Sequence, residues 1–291
     1  MSKLHRGKLT ALRGIVVVAA GLLMLTTTAD PASAQYGSTI TACGQKCQTG
    51  GCGADTSCRT ASSGKCTVGG NISCTSAQST IQLIDGTDLD LQGYDITCTS
   101  GPCTYDAITF YNSNSKVTTS TGGPAVVGGP FNSSVNCGNK SGSIVENITA
   151  AGGIIGIYNC QTVRNDVIDG QGVMVWGVIA SGITSSDEVT DNFVTGAYYP
   201  IVTSTSQPVE ILRNVVNTAG SVYGMTLGSG VSTANGNVKF NVFYGDSTLF
   251  VTAGTDSNAY DGNYCDPNQA SCSTCISNGR CMPYTSPFVG N

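Results

Sequence analysis

The chain has 291 residues, 14 cysteines, a single histidine and a formal net charge of −5. A basic start (Lys3, Arg6, Lys8, Arg13), an apolar run from Gly14 to Leu25 and the small residues Ala32-Ser33-Ala34 mark residues 1–34 as a secretory signal peptide cleaved near Ala34. Its removal leaves nine basic and 17 acidic residues, a balance of −8 that excludes nucleic acid as a partner, and takes away His5, which excludes imidazole chemistry.

The apolar run, at roughly 12 residues, is too short to span a bilayer, and no later stretch is longer and as apolar, so the mature chain is not membrane-spanning. An even number of cysteines in an exported chain reads as a disulfide framework. Cys272-x-x-Cys275 has zinc-like spacing, but an oxidising compartment and the missing histidine favour disulfides there too. Residues 35–75 hold six cysteines in a Gly/Ser/Thr background with few apolar residues. Such a segment builds no core of its own, so it is read as a crosslinked N-terminal cap. Further along, Cys98 and Cys103 are close enough for a local loop bridge. Cys137 and Cys160, 23 residues apart, suit a bridge between neighbouring turns of a repeat.

The repeat dominates residues 143–265. Ile144-Val-Glu-Asn147, Val163-Arg-Asn-Asp166, Val189-Thr-Asp-Asn192, Ile211-Leu-Arg-Asn214, Val238-Lys-Phe-Asn241 and Tyr260-Asp-Gly-Asn263 are one phrase, with anchors 19, 26, 22, 27 and 22 residues apart. Periods of this length belong to solenoids. Short β-branched runs broken by Gly, Asn and Asp predict strands joined by bends. Asn tolerates the left-handed conformation of a bend, and stacked amides hydrogen-bond along a ladder, so the Asn/Asp column is read as structural. A second strand recurs around Gly156, Gly177, Pro200, Gly224 and Phe250. After Cys265 the repeat stops, and residues 266–291 read as a crosslinked C-terminal tail.

Upstream, Leu89-Asp-Leu91-Gln-Gly93-Tyr-Asp-Ile96 resembles the opening coil of right-handed parallel β-helix proteins, the pectate-lyase-like superfamily, and the later repeats are similar to its generic β-helix repeat. The resemblance covers residues 76–265. It implies an all-β, right-handed parallel β-helix solenoid between disulfide-rich caps, and it points towards extracellular polysaccharide as the partner. Its enzymes combine calcium on acidic side chains with an Arg or Lys base that removes the proton beside a uronate carboxylate. Asp166, Asp169, Asp187, Glu188 and Asp191, in two adjacent repeats, offer the oxygen ligands that calcium prefers; Arg213 and Lys239 are the base candidates, with Arg164 nearby. The Trp-Ile-Asp-His signature of pectate lyases is absent, and no histidine signature of the related hydrolases or epimerases can occur. A non-catalytic surface or adhesin-like protein is therefore the standing alternative to a lyase acting on an acidic glycan.

Two apolar patterns complete the reading. Ile155, Trp176, Tyr199, Tyr223 and Leu249 precede the Gly/Pro column. Facing outward, Trp176, Tyr199 and Tyr223 form a strip suited to sugar rings; the preferred reading of Trp176 is inward, in a stack of buried rings. The residues after the Asn/Asp column (Ile148, Val167, Phe193, Val215, Val242, Tyr264) are apolar as well, which predicts a cover over that outer face, most simply from the chain itself.

Overall fold

The computed structural model describes residues 38–121, 123–180, 187–203, 209–227, 237–245, 247–252 and 259–284. The signal peptide expected over 1–34 lies outside the described residues.

The chain winds as a parallel β-solenoid. One sheet of ten strands takes one short strand from each successive coil, from Thr39–Ile40 to Ala259–Asp261. The remaining strands form an 18-stranded sheet that supplies the other walls, and every described pairing between neighbouring coils is parallel. Alternation puts one apolar residue per short strand inside. Leu89, Val117, Val145, Val163, Val189, Ile211 and Val238 stack in register on the first wall, all at most 1% exposed. Matching columns, such as Ile108–Val135–Ile157–Val178–Ile201–Met225–Phe250, fill the interior from the last wall.

The six-fold phrase holds, with two adjustments. In register, Val145 rather than Ile144 pairs with Val163, so Ile148 and not Asn147 occupies the column of Asp166, Asn192, Asn214, Asn241 and Asn263. The left-handed residue is the one before that column: Asn147, Asn165, Asp191, Arg213 and Phe240 have φ between 56° and 60°, followed by Gly262 at 61°. The bend turns on this residue, and the turn drives the next side chain inward. Asn147 is thus exposed at the bend instead of lying in the ladder.

The inward column is a ladder of buried amides. Asn192, Asn214 and Asn241 each donate Nδ2–H to the Oδ1 of the next asparagine at 2.9–3.0 Å, and their main-chain N–H groups reach the same oxygens. Each Nδ2 also donates to a carbonyl of the preceding coil, from Val163, Val189 and Ile211. Asn263 closes the run on the Val238 and Arg280 carbonyls. Every buried amide here has partners, which is the condition for tolerating polar groups in a core.

All 14 cysteines pair, leaving none free. The six N-terminal ones bond among themselves as Cys43–Cys74, Cys47–Cys66 and Cys52–Cys58. Cys98–Cys103 closes the local loop and Cys137–Cys160 joins adjacent coils, as their spacing predicts. Residues 38–75 do more than cover an end. Lys65–Val68 and Ile72–Thr75 pair in register with the next coil and extend both sheets. At the other end, the helix Ala270–Ser277 sits between Cys265–Cys272 and Cys275–Cys281, and Met282–Pro283 adds a last parallel strand beside Tyr264–Cys265.

Candidate functional site

Trp176, Tyr199 and Tyr223 form the most distinctive surface feature. The strand Val167–Ala180 pairs Trp176 with Tyr199 of Phe193–Thr203, and Tyr223 follows one coil on. Trp176 and Tyr199 have ring centroids 6.4 Å apart with planes 21° from parallel; Tyr199 and Tyr223 are 5.9 Å apart and tilted by 44°. The rings lie on the outside, half-buried, and none belongs to the continuous core. The inward reading of Trp176 is therefore corrected, and the reason lies in its neighbour. A side chain on Gly177 would run into the Pro200 carbonyl and the buried Val194, so the Gly/Pro column faces the core and the residue before it faces out. The fifth coil keeps the orientation with a shift of one residue: Thr248 pairs with Tyr223, and Leu249, expected in the same column as Tyr223, is buried in the core.

Beside the strip runs a corner column, with Ile154 48%, Tyr198 45% and Val222 44% exposed. Ile154 also lines a hollow of about 490 Å³ with Pro102, Phe131 and Val173 across the neighbouring coils. The next wall carries the second apolar column. Its exposed members, Phe193 and Tyr264, show that the described residues of the chain do not cover that face, contrary to the expected cover; Ile148 drops out of it because it points inward.

The ionisable candidates are distributed over different surfaces. Asp166 is inside the coil, at the head of the amide ladder. Asp169 is on the outer face of the second wall, opposite Thr195. Asp187 is buried at the start of a first-wall strand, and Glu188 is outside, opposite Thr162 and Glu210. Asp191, at the bend, grips Arg213 through two hydrogen bonds of 2.7 Å. No three metal-ligating side chains converge among the described residues, so the five acidic residues do not assemble into the expected cluster. Two adjacent repeats bring them close along the axis, but alternation sends them to different sides of the wall.

The first wall has an outer groove of about 340 Å³ whose charged rim is Glu146, Arg164, Glu188, Asp191, Glu210 and Arg213. Glu146 is clasped by Lys116 and by Arg164, whose Nε lies 2.7 Å away. Burial works against its charge, but these two hydrogen bonds outweigh it and hold the carboxyl below its usual value. Hydrogen bonding to Asp191 raises the pKa of Arg213 further, which leaves still less of the deprotonated guanidine that a general base requires. Lys239 stands one coil on, on the outer face of the first wall beside Asp261. The base candidates and the aromatic strip thus lie on different strands of the coil. Glu146 and Glu210, which shape the groove, carry no sequence signal of their own. Their position emerges only once the register is known.

The architecture and its outward aromatic strip define a disulfide-rich parallel β-solenoid of the generic parallel β-helix type. No family model, no curated protein and no solved structure matches the chain.

Proposed function

We propose that the protein is an exported solenoid that binds an extended polysaccharide along its outer face and does not cleave it. The strip Trp176–Tyr199–Tyr223 carries this reading. It offers one half-exposed ring per coil along the axis, and aromatic faces bury the apolar faces of sugar rings while leaving the sugar hydroxyls in water. Seven disulfides suit an oxidising compartment such as the cell exterior. The groove on the first wall has four carboxylates against two guanidinium groups, so it repels a polyanion, and the face with the rings favours a neutral or weakly charged glycan. Cleavage by β-elimination would need a free base beside the bound glycan; Arg213 is held by Asp191, and Lys239 stands on the first wall, away from the ring strip.

Trp176 is the only tryptophan, so fluorescence excited at the red edge of indole absorption, where tyrosine absorbs little, reports on the strip. Titration with neutral and acidic polysaccharides, each with calcium and with chelator, is expected to give saturable changes with at least one polymer. Tyr199→Ala should weaken binding about tenfold in the same titration, and Trp176→Ala, which removes the fluorophore, should lose retardation in glycan-containing gels. A flat titration with every polymer, together with no retardation in glycan-containing gels, would overturn the proposal and leave the structural or adhesin-like role. Ultraviolet absorbance from an unsaturated uronate product would overturn the non-cleaving part.

A further inference from the structure

The amide ladder has one rung that is not an amide. Asp166 occupies the position of Asn192, Asn214, Asn241 and Asn263 and is 1% exposed. Its Oδ1 accepts the Ile148 N–H at 2.9 Å, as each asparagine Oδ1 accepts the N–H of the rung before it. Its own N–H donates to Asn192 Oδ1. The other oxygen, Oδ2, is buried without a hydrogen-bond partner.

In each later rung the atom in that place is Nδ2, which donates to a carbonyl of the preceding coil: Val163 for Asn192, Val189 for Asn214, Ile211 for Asn241 and Val238 for Asn263. These carbonyl residues are stacked in register, and the residue of that stack before Val163 is Val145. The rung of Asp166 therefore faces a carbonyl oxygen. An ionised carboxylate there sets acceptor against acceptor in a dry interior, whereas a carboxylic acid completes the pattern.

We infer that Asp166 is a neutral carboxylic acid whose Oδ2–H takes the part of the amide N–H, so that the ladder's first rung is a pH-sensitive switch in coil packing.

The surroundings agree. Burial is the largest influence on the Asp166 carboxyl and raises it well above 3.8; the Ile148 N–H opposes this, Glu146 of the preceding coil reinforces it, and Arg164 of its own coil opposes it through its main-chain N–H and its charge. Glu146 is itself neutralised by Lys116 and Arg164. In the coil that follows, Glu188 is on the outer face, Asp187 is buried at the strand start and Asp191 is paired with Arg213, so no cation from that side serves Asp166. On the strand that follows it, Asp169 lies on the outer face. A carboxyl raised in the folded state binds a proton that the unfolded chain has released. Its stabilising contribution is complete below about 3.8 and declines as pH rises towards the folded value.

The test compares thermal unfolding of the wild-type chain and Asp166→Asn between pH 4 and 9, with the carbon-13 resonance of the Asp166 carboxyl followed over the same range. Asn supplies the N–H permanently, so Asp166→Asn should be flatter with pH. It should melt at least about 2–4 °C above wild type at pH 8. The carboxyl resonance should remain at its protonated position through pH 6. Coincident melting curves for the two proteins, or an ionised carboxyl resonance in the folded protein at pH 6, would overturn the inference. Should Asp166→Asn not fold, the wild-type resonance decides alone.

Discussion

The two halves of the solenoid hold their coils together by different chemistry. From Cys43 to Cys160, five disulfides tie the coils and their loops. Between Cys160 and Cys265 there is no cysteine, and over that span the inward column changes from Ala125 and Ile148 to Asp166 and four asparagines. Where covalent ties stop, hydrogen-bonded ones begin. A disulfide acts chiefly by restricting the unfolded chain, and does so at one point. A buried amide ladder acts in the folded state, and its rungs depend on one another. The first half should therefore yield to reduction and the second to loss of a single rung.

The largest effect is expected from the first half. Replacing Cys137 and Cys160 by serine opens a bridge closing 23 residues. It should cost about 3 kcal/mol, within the usual range for a native disulfide, read as a lower urea midpoint. Limited proteolysis should then begin between residues 98 and 160, with the Asn192–Asn263 coils still protected. Early cleavage throughout the later coils would mean that the halves unfold as one unit, and the comparison would fail.

A single break in the ladder comes next. Asn214→Leu removes the acceptor of both the Asn192 N–H and the Asn192 Nδ2–H, and leaves the Val189 carbonyl without its donor. Stranding buried polar groups in this way costs about 1–3 kcal/mol. Hydrogen exchange should show the Asn192 and Asn241 amides opening together, while those around Val117 and Val135 keep wild-type protection. A loss confined to residue 214 would show that the rungs act singly.

Most of this architecture was legible because it is written in side-chain type. The period near 22 residues, the Cys137–Cys160 interval and the Asn column each reflect a packing demand that few residues satisfy. Register was less legible, and the errors trace to it. Ile144 and Val145 are both β-branched, so the phrase aligns equally well one residue out; only the bend at Asn147 distinguishes them. The same ambiguity aligns Leu249 with Trp176, Tyr199 and Tyr223, although in register Thr248 holds that column and Leu249 is buried. Trp176 reads as inward from the buried position of Val178, two residues on, but Gly177 and Val178 both face the interior, which breaks simple alternation, and the crowding at Gly177 comes from the neighbouring coil. The acidic residues looked clustered because two repeats bring them near along the axis, whereas the choice between inside and outside is made locally.

The smallest effect opposes the two halves by pH. In the first half Asp90, its side chain 1% exposed, receives Lys65 Nζ at 2.7 Å, Ser120 Oγ at 2.5 Å and the N–H groups of Gln92 and Ser120. Burial disfavours its charge, but the hydrogen bonds from Lys65 and Ser120 prevail and hold its pKa at about 2. A carboxyl lowered on folding stabilises the protein above its unfolded value, and that stability is lost as pH falls from near 3.8 towards 2. The shift corresponds to about 2 kcal/mol at neutral pH. Asp90→Asn should remove it and flatten the acid limb of the stability curve, measured by urea unfolding at pH 2, 4 and 7. Asp166 acts in the opposite sense, on the alkaline side. The two carboxyls sit three coils apart, roughly 14 Å at a strand spacing of about 4.8 Å, far enough for independent effects. The Asp90→Asn, Asp166→Asn double variant should then lose both limbs additively. A double variant departing from additivity by more than about 0.5 kcal/mol would show that strain passes between the disulfide half and the amide half through the stacked coils.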